Sequence, residues 1–131
     1  MGRTQNRPLP LILARELASN VATAFLVLDR DGTLIFFNDR AEQIIGSSPA
    51  ELGELSEEEW RALLSVERLD GTPVPSEETP SSVARRECRP VLDTLVYTRR
   101  DGHRMTLVVI AVPLLAHAED LAGVFLVFWE T

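Results

Sequence analysis

The chain has 131 residues, of which 45% are hydrophobic and 25% charged, a composition that fits one globular domain with a single core. Its net charge of −7 argues against nucleic-acid binding, which requires a basic surface. The lone Cys88 excludes an intramolecular disulfide, and the apolar run Leu9–Ala14 is too short for a membrane span. We therefore expect a cytoplasmic protein with no membrane segment within this chain.

An amphipathic helix is predicted over Pro8–Asn20, after a short N-terminal tail. Four apolar residues recur there at the spacing that places them on one helical face. This stripe must be buried against the outer face of a sheet or against a second subunit. Its members are the candidate homodimer-interface residues Leu9, Ile12, Leu13 and Leu17. We therefore expect residues 1–20 to form a tail and a flanking helix, and residues 21–131 to form the domain proper.

Two apolar strands are predicted next, over Phe25–Leu28 and Thr33–Phe37. An Asp-Gly pair joins them, and Gly32 can adopt the positive φ that a tight hairpin turn requires. Asn38 then offers a side-chain oxygen to the first free N–H groups of a helix over Asp39–Ile45. These features predict a strand, a turn, a second strand and a capped helix.

More short helices follow Gly46, which is typical of a left-handed helix end. Ser48 and Ser56 each begin a capping box, and the second predicted helix carries Trp60, Leu63 and Leu64 on one face. In the segment Asp70–Thr79, prolines are expected to prevent any regular element. Thr79 is predicted to cap a last helix that ends near Glu87.

Three strands are predicted in the remainder of the chain, over Val91–Thr98, Met105–Pro113 and Val124–Trp129. With the first two strands they predict an α+β domain with a single five-stranded antiparallel sheet and short helices between strands 2 and 3. Several strands are apolar on both faces, so we expect both faces of the sheet to be covered.

The order and spacing of several turn and cap residues between Val21 and Thr131 resemble the PAS domain family, the sensor and interaction modules of bacterial signalling proteins. The resemblance implies a sheet of strand order 2-1-5-4-3 whose concave face surrounds a small cavity. In this family the cavity holds haem, flavin, a small metabolite or lipid, or nothing. The residues that carry the resemblance are Asp29, Asp31, Gly32, Asn38, Ala41, Gly46, Arg100-Asp101-Gly102, Pro113-Leu114 and Gly123.

The cofactors of the known sub-families do not match this sequence. The light-sensing LOV type requires a Cys within Asn-Cys-Arg-Phe-Leu-Gln, whereas Cys88 lies in Arg-Glu-Cys-Arg-Pro. Haem-binding members use a His from a middle helix, but His103 follows a turn and His117 lies in a predicted loop. We therefore predict no LOV-type flavin, no His-ligated haem and no metal, and an apolar small molecule or lipid is the ligand class that would fit.

The resemblance implies an apolar lining for the cavity. An empty apolar pocket of ~300 Å³ would cost ~7 kcal/mol, which rivals the stability of a whole domain. We therefore expect a core that is collapsed on its own side chains, or else one that holds an apolar guest. The candidate ligand-pocket residues are Leu26, Leu28, Ile44, Val83, Val96, Leu107, Val109, Leu126 and Phe128.

The function that this resemblance implies is a regulatory sensor module that dimerises and modulates an effector domain beyond Thr131. A ligand-free dimerisation scaffold is the first alternative. A small-molecule enzyme on a cone-shaped α+β sheet is the second, but the sequence shows no nucleophile–base set, no phosphate-binding loop and no metal-ligand cluster. We expect no enzymatic activity and no catalytic residues.

Overall fold

The structure is a computed structural model that describes residues 23–46, 54–117 and 120–131. The predicted helix over Pro8–Asn20, with its four candidate interface residues, lies outside these residues, and so does the capping box at Ser48. The fold is therefore described from Thr23 onward.

Six antiparallel strands form one sheet, with short helices between the second and fourth strands. The strands are β1 (Ala24–Asp29), β2 (Leu34–Phe37), β3 (Leu64–Glu67), β4 (Val91–Arg99), β5 (Arg104–His117) and β6 (Asp120–Glu130). The helices are α1 (Asp39–Ile45), α2 (Glu57–Arg61), a 3₁₀ helix (Ser76–Glu78) and α3 (Pro80–Glu87).

The sheet order is β2-β1-β6-β5-β4-β3, which confirms the predicted order of the five expected strands and adds a sixth at one edge. The five-strand prediction is wrong at Leu64, which was placed on a helix. Helix α2 ends at Arg61, and Leu64 already pairs with Arg99 of β4. The added strand β3 satisfies backbone groups of β4 that would otherwise lie at the sheet edge.

Three smaller expectations are corrected. The Thr79 side chain makes no capping bond to α3, since its hydroxyl lies 3.1 Å from the carbonyl oxygen of Ser76 and 3.0 Å from the Ser82 hydroxyl. The proline-rich segment does contain a regular element, the 3₁₀ helix. Finally, β5 continues past Pro113 to His117, so His117 ends a strand rather than lying in a loop.

The hairpin between β1 and β2 forms as predicted. Gly32 has a φ of 87°, and its N–H donates to the Asp29 carbonyl oxygen at 3.0 Å. The Asp29 side chain accepts from the N–H groups of Asp31 and Thr33 at 2.9 and 3.0 Å. The Asp29 carboxylate therefore stabilises the turn by accepting hydrogen bonds from two of its backbone N–H groups.

Asn38 joins β1 to α1 through its side chain. Its Oδ1 accepts from the Ala41 N–H at 3.0 Å, which confirms the predicted cap, and also from the buried Phe25 N–H at 3.1 Å. Its Nδ2 donates to the Thr23 carbonyl oxygen at 2.9 Å. One amide therefore fixes a helix start and the edge of a strand together.

The two faces of the sheet differ in how they are covered. The main core lies on the inner face, where α1 and α3 pack against the strands around fully buried residues such as Phe37 and Leu107. A smaller cluster lies on the outer face, where the rings of Phe25 and Phe125 stack at 5.1 Å. These two faces define which side chains can reach a ligand.

Replacing Asn38 by Ala tests the side-chain link between β1 and α1. We expect Asn38→Ala to lower the free energy of unfolding by about 2–3 kcal/mol, since a cap is lost and the buried Phe25 N–H loses its acceptor. Asn38→Asp, the matched control, keeps the acceptor and should lose less than half as much. Urea unfolding measures both, and an Asn38→Ala variant within about 0.5 kcal/mol of wild type would contradict the account.

Candidate functional site

A cavity of about 360 Å³ lies on the inner face of the sheet. Its floor is made by five apolar side chains of the central strands, and its walls come from α2, β3 and the segment that leads into α3. The floor residues are Leu26, Leu107, Val109, Leu126 and Phe128. The apolar wall residues are Leu34, Ile45, Trp60, Leu63, Leu64, Val66, Val74 and Pro80. The cavity is therefore mostly apolar.

The five floor residues were all among the nine candidates, and the structure brings them together. Leu28 and Ile44 lie in the same core cluster but do not line the cavity. Val83 is only half-buried on α3 and does not line it either. Whether the floor residues bind a ligand stays a proposal.

Val96 corrects the inward assignment on β4. It pairs with Thr106, whereas its neighbour Leu95 pairs with the inward-facing Leu107. Directly opposed residues on paired strands share a face, so Val96 lies on the outer face. Tyr97, on the inner face with Leu95, lines the cavity instead.

The walls were largely missed by sequence reasoning. Leu63 and Leu64 are predicted on a helical face, yet Leu64 begins β3, and the four consecutive residues from Leu63 to Val66 line the cavity. The available signal was the short apolar–polar alternation of Leu64, Ser65 and Val66, which favours a strand over a helix.

The expectation of a collapsed core is not met. A dry, empty cavity of 360 Å³ would cost about 9 kcal/mol, as much as the whole stability of many domains. Such a cavity must therefore hold solvent or a guest. Water in an apolar cavity has few hydrogen-bond partners, so an apolar guest that displaces it is favoured.

Polar side chains interrupt the lining at Arg61, at the C-terminal end of α2. One guanidinium nitrogen, Nη2, donates to the Glu57 carboxylate at 3.0 Å and to the Ser82 hydroxyl at 2.6 Å. The buried Nε–H has no hydrogen-bond acceptor among the described residues. The guanidinium also lies 5.4 Å from the ring centroid of Trp60, a second lining residue.

Glu57 connects Arg61 to a second arginine and to the β1–β2 turn. Its Oε2 accepts from Arg85 of α3 at 2.9 Å as well as from Arg61. The guanidinium of Arg85 occupies the space that a Cβ at Gly32 would take, and the Trp60 indole donates to the Gly32 carbonyl oxygen at 2.8 Å. Burial alone would raise the pKa of Glu57, but hydrogen bonds and charges from both arginines outweigh it and lower that pKa.

Tyr97 lies on β4 and also lines the cavity. Burial raises the pKa of its hydroxyl strongly, the nearby charge of Asp93 raises it further, and that of Arg61 partly opposes both. The hydroxyl therefore stays protonated and is a hydrogen-bond donor. It makes no hydrogen bond to any residue in the described ranges.

The residues that cofactor chemistry would require lie away from the cavity. Cys88 is exposed at the end of α3 in a left-handed conformation, with a φ of 51°. His103 and His117 are also exposed and do not line the cavity. Within residues 23–46, 54–117 and 120–131, no group of three or more His, Cys, Asp or Glu side chains is placed to hold a metal ion.

Comparison with known families identifies this architecture. The family model described as PAS domain matches residues 13–81, more than half of the chain. The chain therefore belongs to the PAS domain family, whose members are sensor modules of signalling proteins and are typically non-catalytic. None of the curated proteins matches the sequence.

Solved structures show the same fold at low sequence identity. The PAS domain of an HTR-like protein from Haloarcula marismortui is 20% identical, with 89% of this chain and 88% of that chain covered and a TM-score of 0.61. The PAS domain of nitrogen regulation protein NR(II) from Vibrio parahaemolyticus is 17% identical, with 91% and 98% covered and a TM-score of 0.60. A Rhodobacter sphaeroides LOV protein is 12% identical, with 92% and 66% covered and a TM-score of 0.66.

The part of the chain that the structure describes contains no helix long and apolar enough to cross a membrane.

Replacing Glu57 by Gln tests the ionic link between α2 and α3. The folded-state pKa lies below the ordinary value of 4.5, so ionised Glu57 stabilises the fold fully above pH 4.5, and this contribution is lost as the pH falls through the folded-state pKa. We expect Glu57→Gln to lower the free energy of unfolding by about 1–2 kcal/mol at neutral pH. At acidic pH the difference in the free energy of unfolding between Glu57→Gln and wild type should shrink.

Urea unfolding at neutral and acidic pH measures this effect. Glu58→Gln is the matched control, since Glu58 is exposed on the same helix. Equal losses for the two variants, or a Glu57→Gln effect that does not change with pH, would contradict the ionic role of Glu57.

Proposed function

We propose that this PAS domain is a ligand-responsive sensor module. A small apolar molecule binds in the cavity on the inner face of the sheet and alters a homodimer and an effector domain attached downstream of Thr131. The observation that carries the proposal is the cavity of about 360 Å³ with its apolar floor. Its volume lies in the range of known small-molecule sites.

The floor supports a route from ligand to output. Leu126 and Phe128 lie on β6, whose opposite face carries the half-buried Phe125 and Val127 of the outer cluster. A guest that shifts the inner side chains of this strand would therefore change the outer face, on which we propose that dimer contacts form. A shift of this kind requires the ligand to bind the two arrangements with different affinity.

The ligand-free dimerisation scaffold remains the second candidate. One observation favours it, which is the presence of large apolar side chains on the outer face. Leu92 is 68% exposed and Trp129 is 41% exposed. Exposed apolar residues on one face indicate a contact surface. We propose that Leu9, Ile12, Leu13 and Leu17 contribute to this dimer contact in both functions.

The cellular setting and the absence of catalysis are part of the same proposal. We place the module in the cytoplasm, since its one cysteine, Cys88, is unsuited to a disulfide-stabilised secreted domain. We assign it no enzymatic reaction. No DNA or RNA partner is proposed, in keeping with the net charge of −7.

Native mass spectrometry of the purified protein tests ligand binding. We expect the wild-type mass to include a bound small molecule, because an apolar guest that displaces water from the apolar floor is favoured. Val109→Phe enlarges a floor residue and should remove the extra mass. Ile110→Phe, the matched control, makes a similar enlargement on the opposite face and should retain it. A bare protein in all three samples would contradict the sensor and favour the scaffold.

Deleting residues 1–20 tests the proposed dimer contact. The deletion would remove the four apolar residues of the predicted helix, so we expect a weaker dimer or reduced solubility. Analytical ultracentrifugation over a concentration series measures the dimer dissociation constant. Replacing Arg3 by Gln in the full chain is the control. A truncated protein that stays soluble with an unchanged dimer dissociation constant would refute the role of this segment.

A further inference from the structure

The lining of the cavity contains three hydrogen-bond donors that have capacity left. Arg61 makes its hydrogen bonds to described residues through Nη2, which leaves Nη1 as the donor that can serve a guest, and the hydroxyls of Tyr97 and Ser81 make no hydrogen bond to any described residue. Ser81 is itself buried, at 5% exposure, on the first turn of α3. Polar groups in folded proteins almost always have partners, so donors that face a cavity are available to water or to an acceptor group of a guest.

These donors belong to residues that line the same cavity. Arg61 already contacts the N-terminal end of α3, since its Nη2 donates to the hydroxyls of Ser82 and Thr79, which flank Ser81 in sequence. Tyr97 lines the same cavity, and the charge of Arg61 partly opposes the rise in the pKa of its hydroxyl. The rest of the lining is largely apolar. The cavity thus has an apolar body and a donor-rich part.

The charge beside this donor-rich part is positive. Arg61 and Arg85 share one carboxylate, that of Glu57, and neither arginine forms an ion pair with another acidic side chain among the described residues. The three groups together therefore carry one net positive charge. Asp93 is the acidic residue that acts on Tyr97, but it is exposed on β4 and its Oδ1 accepts from the Thr94 N–H at 2.8 Å.

We propose that the ligand of this cavity is an amphipathic monocarboxylate, with an apolar tail over the sheet floor and a carboxylate held by Arg61, Tyr97 and Ser81. This inference rests on the proposed sensor function and names its ligand class. A carboxylate accepts several hydrogen bonds and supplies the missing negative charge. A neutral alcohol accepts hydrogen bonds but carries no negative charge, and an ammonium group would be repelled by the arginines.

The volume of the cavity sets the size of the ligand. At about 30 Å³ for a group of water size, 360 Å³ holds roughly twelve non-hydrogen atoms. A straight-chain acid of medium length fits within this volume. Octanoate is therefore a suitable probe, with octan-1-ol and octylamine as probes of the same tail length.

Isothermal titration calorimetry of the full chain with the three probes tests the inference. We expect wild type to bind octanoate at least tenfold more tightly than octan-1-ol, since charge-assisted hydrogen bonds differ from neutral ones by about this factor. Octylamine should bind most weakly. Arg61→Gln should abolish the preference for the acid over the alcohol while leaving alcohol binding.

Because Arg61 also forms an ion pair with Glu57, replacing it disturbs more than the ligand contact. Two milder variants leave that ion pair in place. Tyr97→Phe and Ser81→Ala each remove one hydroxyl, and each should weaken octanoate binding by about fivefold and octan-1-ol binding by less. Arg30→Gln is the control for charge alone, since Arg30 is exposed and pairs with Asp120 away from the cavity. It should leave all three affinities unchanged.

The outcomes separate this inference from the proposed function. Equal affinities for acid and alcohol, a preference for octylamine, or an octanoate affinity unchanged in all three lining variants would overturn the carboxylate while leaving an apolar-ligand sensor. No binding of any probe, together with a bare protein in native mass spectrometry, would overturn both. Tighter binding of octanoate that depends on Arg61, Tyr97 and Ser81 supports both.

Discussion

The Glu57 carboxylate is the contact on which the helical side of this domain depends. It accepts hydrogen bonds from Arg61 within α2 and from Arg85 on α3, and Arg85 lies over the turn at Gly32. The indole of Trp60, also on α2, donates to the same turn. Two helices and a hairpin are thereby fixed to one another by polar contacts of defined geometry rather than by apolar packing alone.

This arrangement explains how a cavity can persist in a small domain. Apolar packing alone would draw α2 and β3 onto the sheet until the space was filled, because empty volume is costly. Partly buried ion pairs and hydrogen bonds resist such a collapse, since breaking them would leave charges without partners. The cavity and the positive charge beside it therefore have a common origin in the two arginines that share Glu57.

The sequence predicted those parts of the structure that are encoded locally. Asn38, Gly46 and Ser56 act within one helical turn of their own positions, and each cap formed as expected. The residues of the cavity floor could also be predicted, because the central strands carry apolar residues at regular spacing. What sequence could not supply was contact between distant residues: Glu57 meets Arg85, and Trp60 meets Gly32, across 28 residues each. Val96 was assigned to the wrong face because it and its neighbour Leu95 are both apolar, so the sequence of β4 shows no alternation there.

The central claim is that the cavity on the inner face holds an apolar guest, and a high-resolution crystal structure of the protein as purified tests it most directly. The account predicts continuous electron density, too long for a water molecule, that lies over Leu107 and Phe128 and ends beside Arg61. A cavity that contains only separate water molecules, or one that is filled by an inward movement of Trp60, would contradict it.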